Sequence, residues 1–284
     1  MPNPTIIDTH QFGRVRAGAA YYLQGKRHAL IETGTSLSAP HIVRALPNIE
    51  LDYIFVTHVH LDHAGGAGEL ASRYQHATVI VHPRGAKHLI DPTLLVQSVR
   101  QATGEMFSLY GEAIPIDAGR VYAAKDGERF DLGGGTVIEA VYSPGHAPHH
   151  MCFFEPEERV LYAGDAAGAL RDGVLYCTTP PPSFDLEVSL QTIDKLRSLH
   201  PREIFYTHFG PGGNPDALLL AYADLLKRWA EGIGARRGRM EQGELIDDVL
   251  ADPSLVPPNL DEELRPELAM SVRGMLGYLE KTAQ

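Results

Sequence analysis

Along the first 210 residues, short apolar runs rich in β-branched and aromatic side chains alternate with Gly, Pro and Asp. Segments 29–32, 53–57, 78–81, 136–142, 159–162 and 203–207 have the length and composition of strands. Between some of them the apolar spacing widens to that of a helix. Leu186, Leu190, Ile193 and Leu196 fall on one face of 186–199. Strands mixed with helices predict an α/β sandwich. Near residues 210–215 the texture changes and becomes almost wholly helical. Leu218, Tyr222, Leu225, Leu226, Trp229 and Ile233 form one stripe, and Leu268, Val272, Met275, Leu276 and Leu279 form another. The expected organisation is a domain over 1–213 and a helical C-terminal extension over 214–284 packed on it. Residues 83–131 read as a helical insert, with a helix-like stretch around 89–110.

The chemistry is concentrated in Thr57-His58-Val59-His60-Leu61-Asp62-His63-Ala64-Gly65-Gly66, where an apolar strand runs into a Gly-rich turn. On an extended backbone His58 and His60, two apart, point to the same side. Asp62 and His63 follow where the chain must turn, so they can face a second point nearby. Imidazole and carboxylate are ligands for zinc, and they suit iron or manganese nearly as well. With 14 histidines in 284 residues, chance produces such a cluster in on the order of one chain in a thousand. Three further candidates sit at predicted strand ends, where open α/β sheets gather their ligand sites: His146, Asp165 and His208.

The pattern resembles the metallo-β-lactamase superfamily. Its His-x-His-x-Asp-His signature is matched by His58 to His63, and the family's later His, Asp and His by His146, Asp165 and His208. The resemblance covers about residues 5–210 and implies an αββα sandwich, two β-sheets packed together with helices outside. It also implies two divalent metal ions, zinc first and iron or manganese as alternatives. His58, His60 and His146 would bind one ion, Asp62, His63 and His208 the other, with Asp165 bridging them. Asp62 would be both ligand and catalytic residue, orienting the nucleophile. The segment Leu30-Ile31-Glu32-Thr33-Gly34 resembles the family's early strand and turn, with Glu32 in place of the commoner Asp.

Two cations about 3.5–4 Å apart can hold a bridging water and lower its pKa to give hydroxide at neutral pH. The expected function is a dinuclear hydrolase of a small ester, thioester, lactone or phosphodiester. The alternative is a mononuclear iron enzyme of persulfide-dioxygenase type on the same fold. His60 stands where the di-iron oxygen-reducing branch has Glu, and no flavodoxin domain accompanies the site.

Composition narrows the partners. Lys and Arg number 25 against 36 Asp and Glu, a net charge of −11, which gives no general attraction for nucleic acid or anionic membrane. A small-molecule substrate is the expected partner. No apolar run approaches a membrane span, and the first residues carry neither a basic nor an apolar export segment, so a cytoplasmic location is expected. Cys152 and Cys177 make no disulfide framework. The apolar stripes of the tail could pack on the core or on a second subunit, leaving a homo-oligomer open. Arg236, Arg237 and Arg239 form the one dense basic patch, read as a solvated helix end. His149 and His150 read as an ordinary strand start, His82 and His88 as structural, and Met106, Phe107 and Tyr110 as core of the insert.

Overall fold

The computed structural model describes residues 4–258 and 261–283. The first sheet contains six strands in chain order: β1 (Thr5–Asp8), β2 (Ala19–Gln24), β3 (His28–Ile31), β4 (Tyr53–Phe55), β5 (Thr78–Val81) and β6 (Val121–Ala123). Strands β3 to β6 run parallel. The second sheet receives β7 (Arg129–Gly133), β8 (Thr136–Tyr142), β9 (Met151–Glu155) and β10 (Val160–Tyr162). A separate hairpin, β11 (Ala169–Arg171) and β12 (Val174–Tyr176), precedes β13 (Glu203–Tyr206) and β14 (Gly210–Gly212), which complete that sheet in the order β14-β13-β10-β9-β8-β7.

The side-chain alternation of these strands builds the layers. In β2, Ala19, Tyr21 and Leu23 turn toward the second sheet, while Ala20 and Tyr22 turn outward. Phe55 of β4 and Ile80 of β5 likewise face inward, with Ile54 and Val79 on the opposite side. From the second sheet, Phe153, Tyr162 and Phe205 meet them, and Cys152, Leu161 and Ile204 point away. Both faces of these strands are covered, so they read as continuous apolar runs instead of alternating ones.

Helices α1 (Ala39–Ala45), α2 (Leu61–Ala64), α3 (Ala67–Arg73), α4 (Pro83–Ile90) and α5 (Thr93–Thr103) belong to the first half of the chain. Ile42 of α1, Leu70 of α3 and Leu89 of α4 cover the outer face of the first sheet. The second sheet is covered by α6 (Leu186–Ser198), whose first turn is capped by Asp185, and by α7 (Pro215–Arg236), α8 (Gln242–Ala251) and α9 (Arg265–Thr282). Trp229, Val249 and Met275 bring the last three helices into one apolar cluster with Leu161 and Tyr206. The molecule is an αββα sandwich with a helical C-terminal region. Among the described residues no helix is long and apolar enough to cross a membrane.

One expectation is corrected. The α-helices in 83–131 stop by Thr103 and only short 3-10 turns follow; Val121–Ala123 and Arg129–Gly133 are strands, one at the edge of each sheet. An edge strand of three residues with two of them exposed has no apolar run to betray it.

Candidate metal centre

Each candidate ligand lies just beyond the C-terminal end of a strand. After β4 the chain stays extended to His60, whose carbonyl accepts from the amides of His63 and Ala64 and so starts α2. His58 and His60 thereby face one point, and the helical turn swings Asp62 and His63 toward another. His146 follows β8, Asp165 follows β10 and His208 follows β13. Gly164 takes a left-handed φ of +53°, and a Cβ there would lie 2.6 Å from His150 Nε2. Only glycine suits that backbone and that approach.

The seven side chains converge. His58 Nε2, His60 Nδ1 and His146 Nε2 lie 2.9, 3.0 and 3.1 Å from one another. His63 Nε2 and His208 Nε2 are 3.2 Å apart, each 3.7 Å from Asp62 Oδ2. Asp165 stands between the groups: its Oδ1 lies 3.4 Å from His63 Nε2 and 3.5 Å from His208 Nε2, and its Oδ2 lies 3.5 Å from His146 Nε2.

Neighbouring groups decide what these nitrogens can bind. His146 Nδ1 donates to the Thr178 carbonyl (2.8 Å) and His208 Nδ1 to that of Ala17 (3.0 Å). A carbonyl only accepts, so both rings carry their proton on Nδ1 and turn a lone pair inward. Thr57 donates its hydroxyl to Glu32 Oε1 (2.6 Å), which leaves its oxygen to accept from His58 Nδ1 (3.1 Å). Hence His58 and His146 oppose lone pair to lone pair at 3.1 Å. A proton on His60 Nδ1 cannot serve both. Asp165 Oδ1 is buried without a hydrogen bond of adequate geometry. This donor set fits divalent cations.

The electrostatics agree. Burial, then the surrounding imidazoles, hold His58 and His60 well below the ordinary histidine range, which keeps them neutral. Burial pushes Asp165 up, but His63, His146 and His208 outweigh it and leave the carboxyl well below its usual range. Burial pushes His63 down, yet Asp165, Glu32 and Asp62 raise it well above, so positive charge is favoured at that point.

The other histidines divide. His150 Nε2 accepts from the Asp165 amide at 3.0 Å, which fixes the backbone of that candidate ligand. His149 Nδ1 accepts from the Val59 amide at 3.5 Å, and its ring lies against those of His58 and His60. His82 caps α4 through the Arg84 amide. Phe107 packs with Leu61 and Val96, and Tyr110 lies against them. Arg236 pairs with Asp248 and Asp252, and Arg237 donates to the Leu279 carbonyl, so both are engaged within the C-terminal helices. Both cysteines are buried, and burial pushes the Cys152 thiol up to about 12. Sequence alone gives Thr57, Thr207, Thr178 and Ala17 no role behind the histidines. The two threonines had a signal: each immediately precedes a histidine of the centre, and each donates to Glu32. Thr178 and Ala17 act through backbone carbonyls, which any residue supplies.

Comparison with known proteins gives a consistent picture. Residues 13–208 match the profile of the metallo-beta-lactamase superfamily. A metallo-beta-lactamase fold-containing protein of Sulfurisphaera tokodaii is 34% identical over 165 residues, covering 57% of this chain and 61% of its own. An atrochrysone carboxyl ACP thioesterase of Emericella nidulans is 29% identical over 153 residues, covering 54% of this chain and 37% of its own. The match therefore spans less than two thirds of the length of these relatives. A crystal structure of an archaeal metallo-beta-lactamase superfamily protein from Sulfolobus tokodaii superposes with a TM-score of 0.74 over 99% of both chains, at 24% identity. A metallo-beta-lactamase family protein from Thermus thermophilus gives 0.71 at 22% identity, over 100% of this chain and 95% of that one. At such identities the two structures speak for the fold.

Proposed function

Because the chain belongs to the metallo-beta-lactamase superfamily, we propose that it is a dinuclear metal-dependent hydrolase of a small ester-like substrate: an ester, thioester, lactone or phosphodiester. The observation that carries this reading is Asp165, whose two oxygens face different histidine groups within 3.5 Å. One ion would be held by His58, His60 and His146, the second by Asp62, His63 and His208, with Asp165 shared. Zinc suits this ligand set first, and iron or manganese also fit. When bound, such ions polarise the scissile carbonyl or phosphoryl group and make water acidic enough to give hydroxide at neutral pH.

The protein's own groups supply the rest. Asp62 is 23% exposed, whereas His63, His146, Asp165 and His208 are 6% or less. It is thus the carboxylate open to an incoming substrate, and it can accept a hydrogen bond from the attacking water and orient it. Glu32 sits behind His63 and keeps the ring's Nε2 turned inward. Burial of His58, His63, His146, Asp165 and His208 keeps bulk water from competing at their lone pairs.

Among the ester classes the thioester comes first, since one relative bears that activity in its name. A small-molecule substrate and a cytoplasmic setting complete the reading. A mononuclear iron centre would use only part of the donor set, while Asp62, His63 and His208 are gathered with the same care as the rest.

The test is metal content of protein purified without added metal, followed by aryl ester, thioester, lactone and bis-aryl phosphodiester assays with and without chelator. Two ions per chain and chelator-sensitive hydrolysis are expected. One iron per chain, with oxygen uptake on glutathione persulfide and no hydrolysis in the panel, would replace this reading with the iron oxidoreductase.

A further inference from the structure

Helix α9 begins more than fifty residues beyond the family match, yet one of its faces reaches both histidine groups. Glu267, Ser271 and Gly274, at spacings of four and three, lie on that face. Near the helix start, Glu267 pairs with Arg14 and with Arg171, the latter at 3.0 Å. Arg171 also donates to the Ala17 carbonyl at 3.4 Å, the same carbonyl that takes the His208 Nδ1 proton. One turn on, Ser271 donates to the Cys177 carbonyl (2.9 Å) and accepts from the Thr179 amide (3.3 Å). Its own carbonyl accepts from the Thr179 hydroxyl at 2.7 Å.

The residue gripped between those bonds is Thr178. Its carbonyl holds His146 Nδ1, and its hydroxyl donates to the Asp165 carbonyl at 2.8 Å. Tyr222 of α7 adds a contact to the Thr178 hydroxyl at 3.1 Å. Gly274 completes the seat: a Cβ there would fall 1.8 Å from the Thr179 carbonyl oxygen, so the loop and helix touch backbone to backbone. The arginines are held firmly, with side chains only 18% and 13% exposed.

We propose that α9 positions the two ligand groups separately, with Ser271 setting His146 through Thr178 and Glu267 setting His208 through Arg171 and Ala17. These are positioning residues; neither touches a ligand nitrogen. Groups behind metal ligands fix ring orientation, and their loss commonly weakens metal affinity by 10- to 100-fold. A residue one step further back acts at the lower end of that range. The proposal rests on the two-ion reading above and adds a division of labour to it.

The test titrates metal-free full-length protein with Co(II) against a competing chelator and follows the cobalt absorption bands. His60→Ala and His208→Ala identify which band belongs to which group. Ser271→Ala should weaken the His58–His60–His146 group roughly tenfold and the other group clearly less, since Thr178 also touches the carbonyl of the shared Asp165. Glu267→Ala should do the reverse. Should Glu267→Ala not fold, Glu267→Gln carries the same prediction at smaller size. Equal weakening of both groups by either variant, or no change in either, would overturn the proposal while the wild-type stoichiometry of two stands. A wild-type chain that takes one ion would sink the two-ion reading and this assignment with it.

Discussion

Glu32 and His63 meet behind the centre, with Oε1 of the carboxylate 3.0 Å from Nδ1 of the ring. The same oxygen also accepts from the hydroxyls of Thr57 and Thr207. Three donors, one from α2 and two from just beyond β4 and β13, therefore depend on one buried carboxylate. Glu32→Ala should lower stability by about 2–4 kcal/mol, because the donors are left unsatisfied in a dry interior. Glu32→Gln keeps the shape and should cost less. Urea denaturation of metal-free protein checks the order.

Asp165→Ala should abolish tight binding of both ions while the sandwich persists. The side chain lies at a strand end and faces the histidines, so its loss removes no apolar packing. Elemental analysis and circular dichroism on the same sample check this. A variant that keeps both ions and turnover would refute the shared role.

Acid should weaken the metal-free protein through His149. Burial, with His146, His88 and His82 nearby, pushes that imidazole down to about 4, against about 6.5 in an unfolded chain. Between those values the unfolded state takes up a proton that the folded state refuses. The stabilisation is therefore complete above pH 6.5 and is lost as pH falls through the window toward 4. His58, His60 and His150 are shifted in the same direction. His149→Gln should show a shallower loss between pH 7 and 5, read from urea midpoints.

Gly164→Ala should cost about 2–4 kcal/mol, combining a left-handed backbone with a forced contact on His150. Because His150 holds the Asp165 amide, metal affinity should fall with stability. Thermal unfolding and chelator competition, measured together, test the coupling.

The convergence of His58, His60, Asp62 and His63 is legible because the candidate donors are local: four such side chains within six residues. That His146, Asp165 and His208 join the same cluster is legible through the strands before them and the family resemblance. Strands β5 and β8 match the sequence-derived segments residue for residue, since both are rich in β-branched residues between turn residues. In 83–131 the strands escape a pattern reading, since β6 has three residues with two exposed and β7 offers only Phe130 and Leu132 to the core. Ser271 and Glu267 could not be seen, because their partners lie some 90 residues away in sequence and are partly backbone atoms.

Strands β6 and β7 are neighbours in the chain but belong to different sheets, joined across residues 124–128, of which Lys125, Asp126 and Gly127 are exposed. A single backbone cut in that crossing would yield two polypeptides, each with one whole sheet. The N-terminal piece would carry His58, His60, Asp62 and His63, and the C-terminal piece His146, Asp165 and His208. Neither piece holds a full ligand group, so metal would bind tightly only to the reassembled pair. Each ion would then act as a crosslink between fragments, strengthening their association by RT ln(1 + [M]/Kd). Chelator would weaken that association and leave the apolar face between the sheets as the remaining hold.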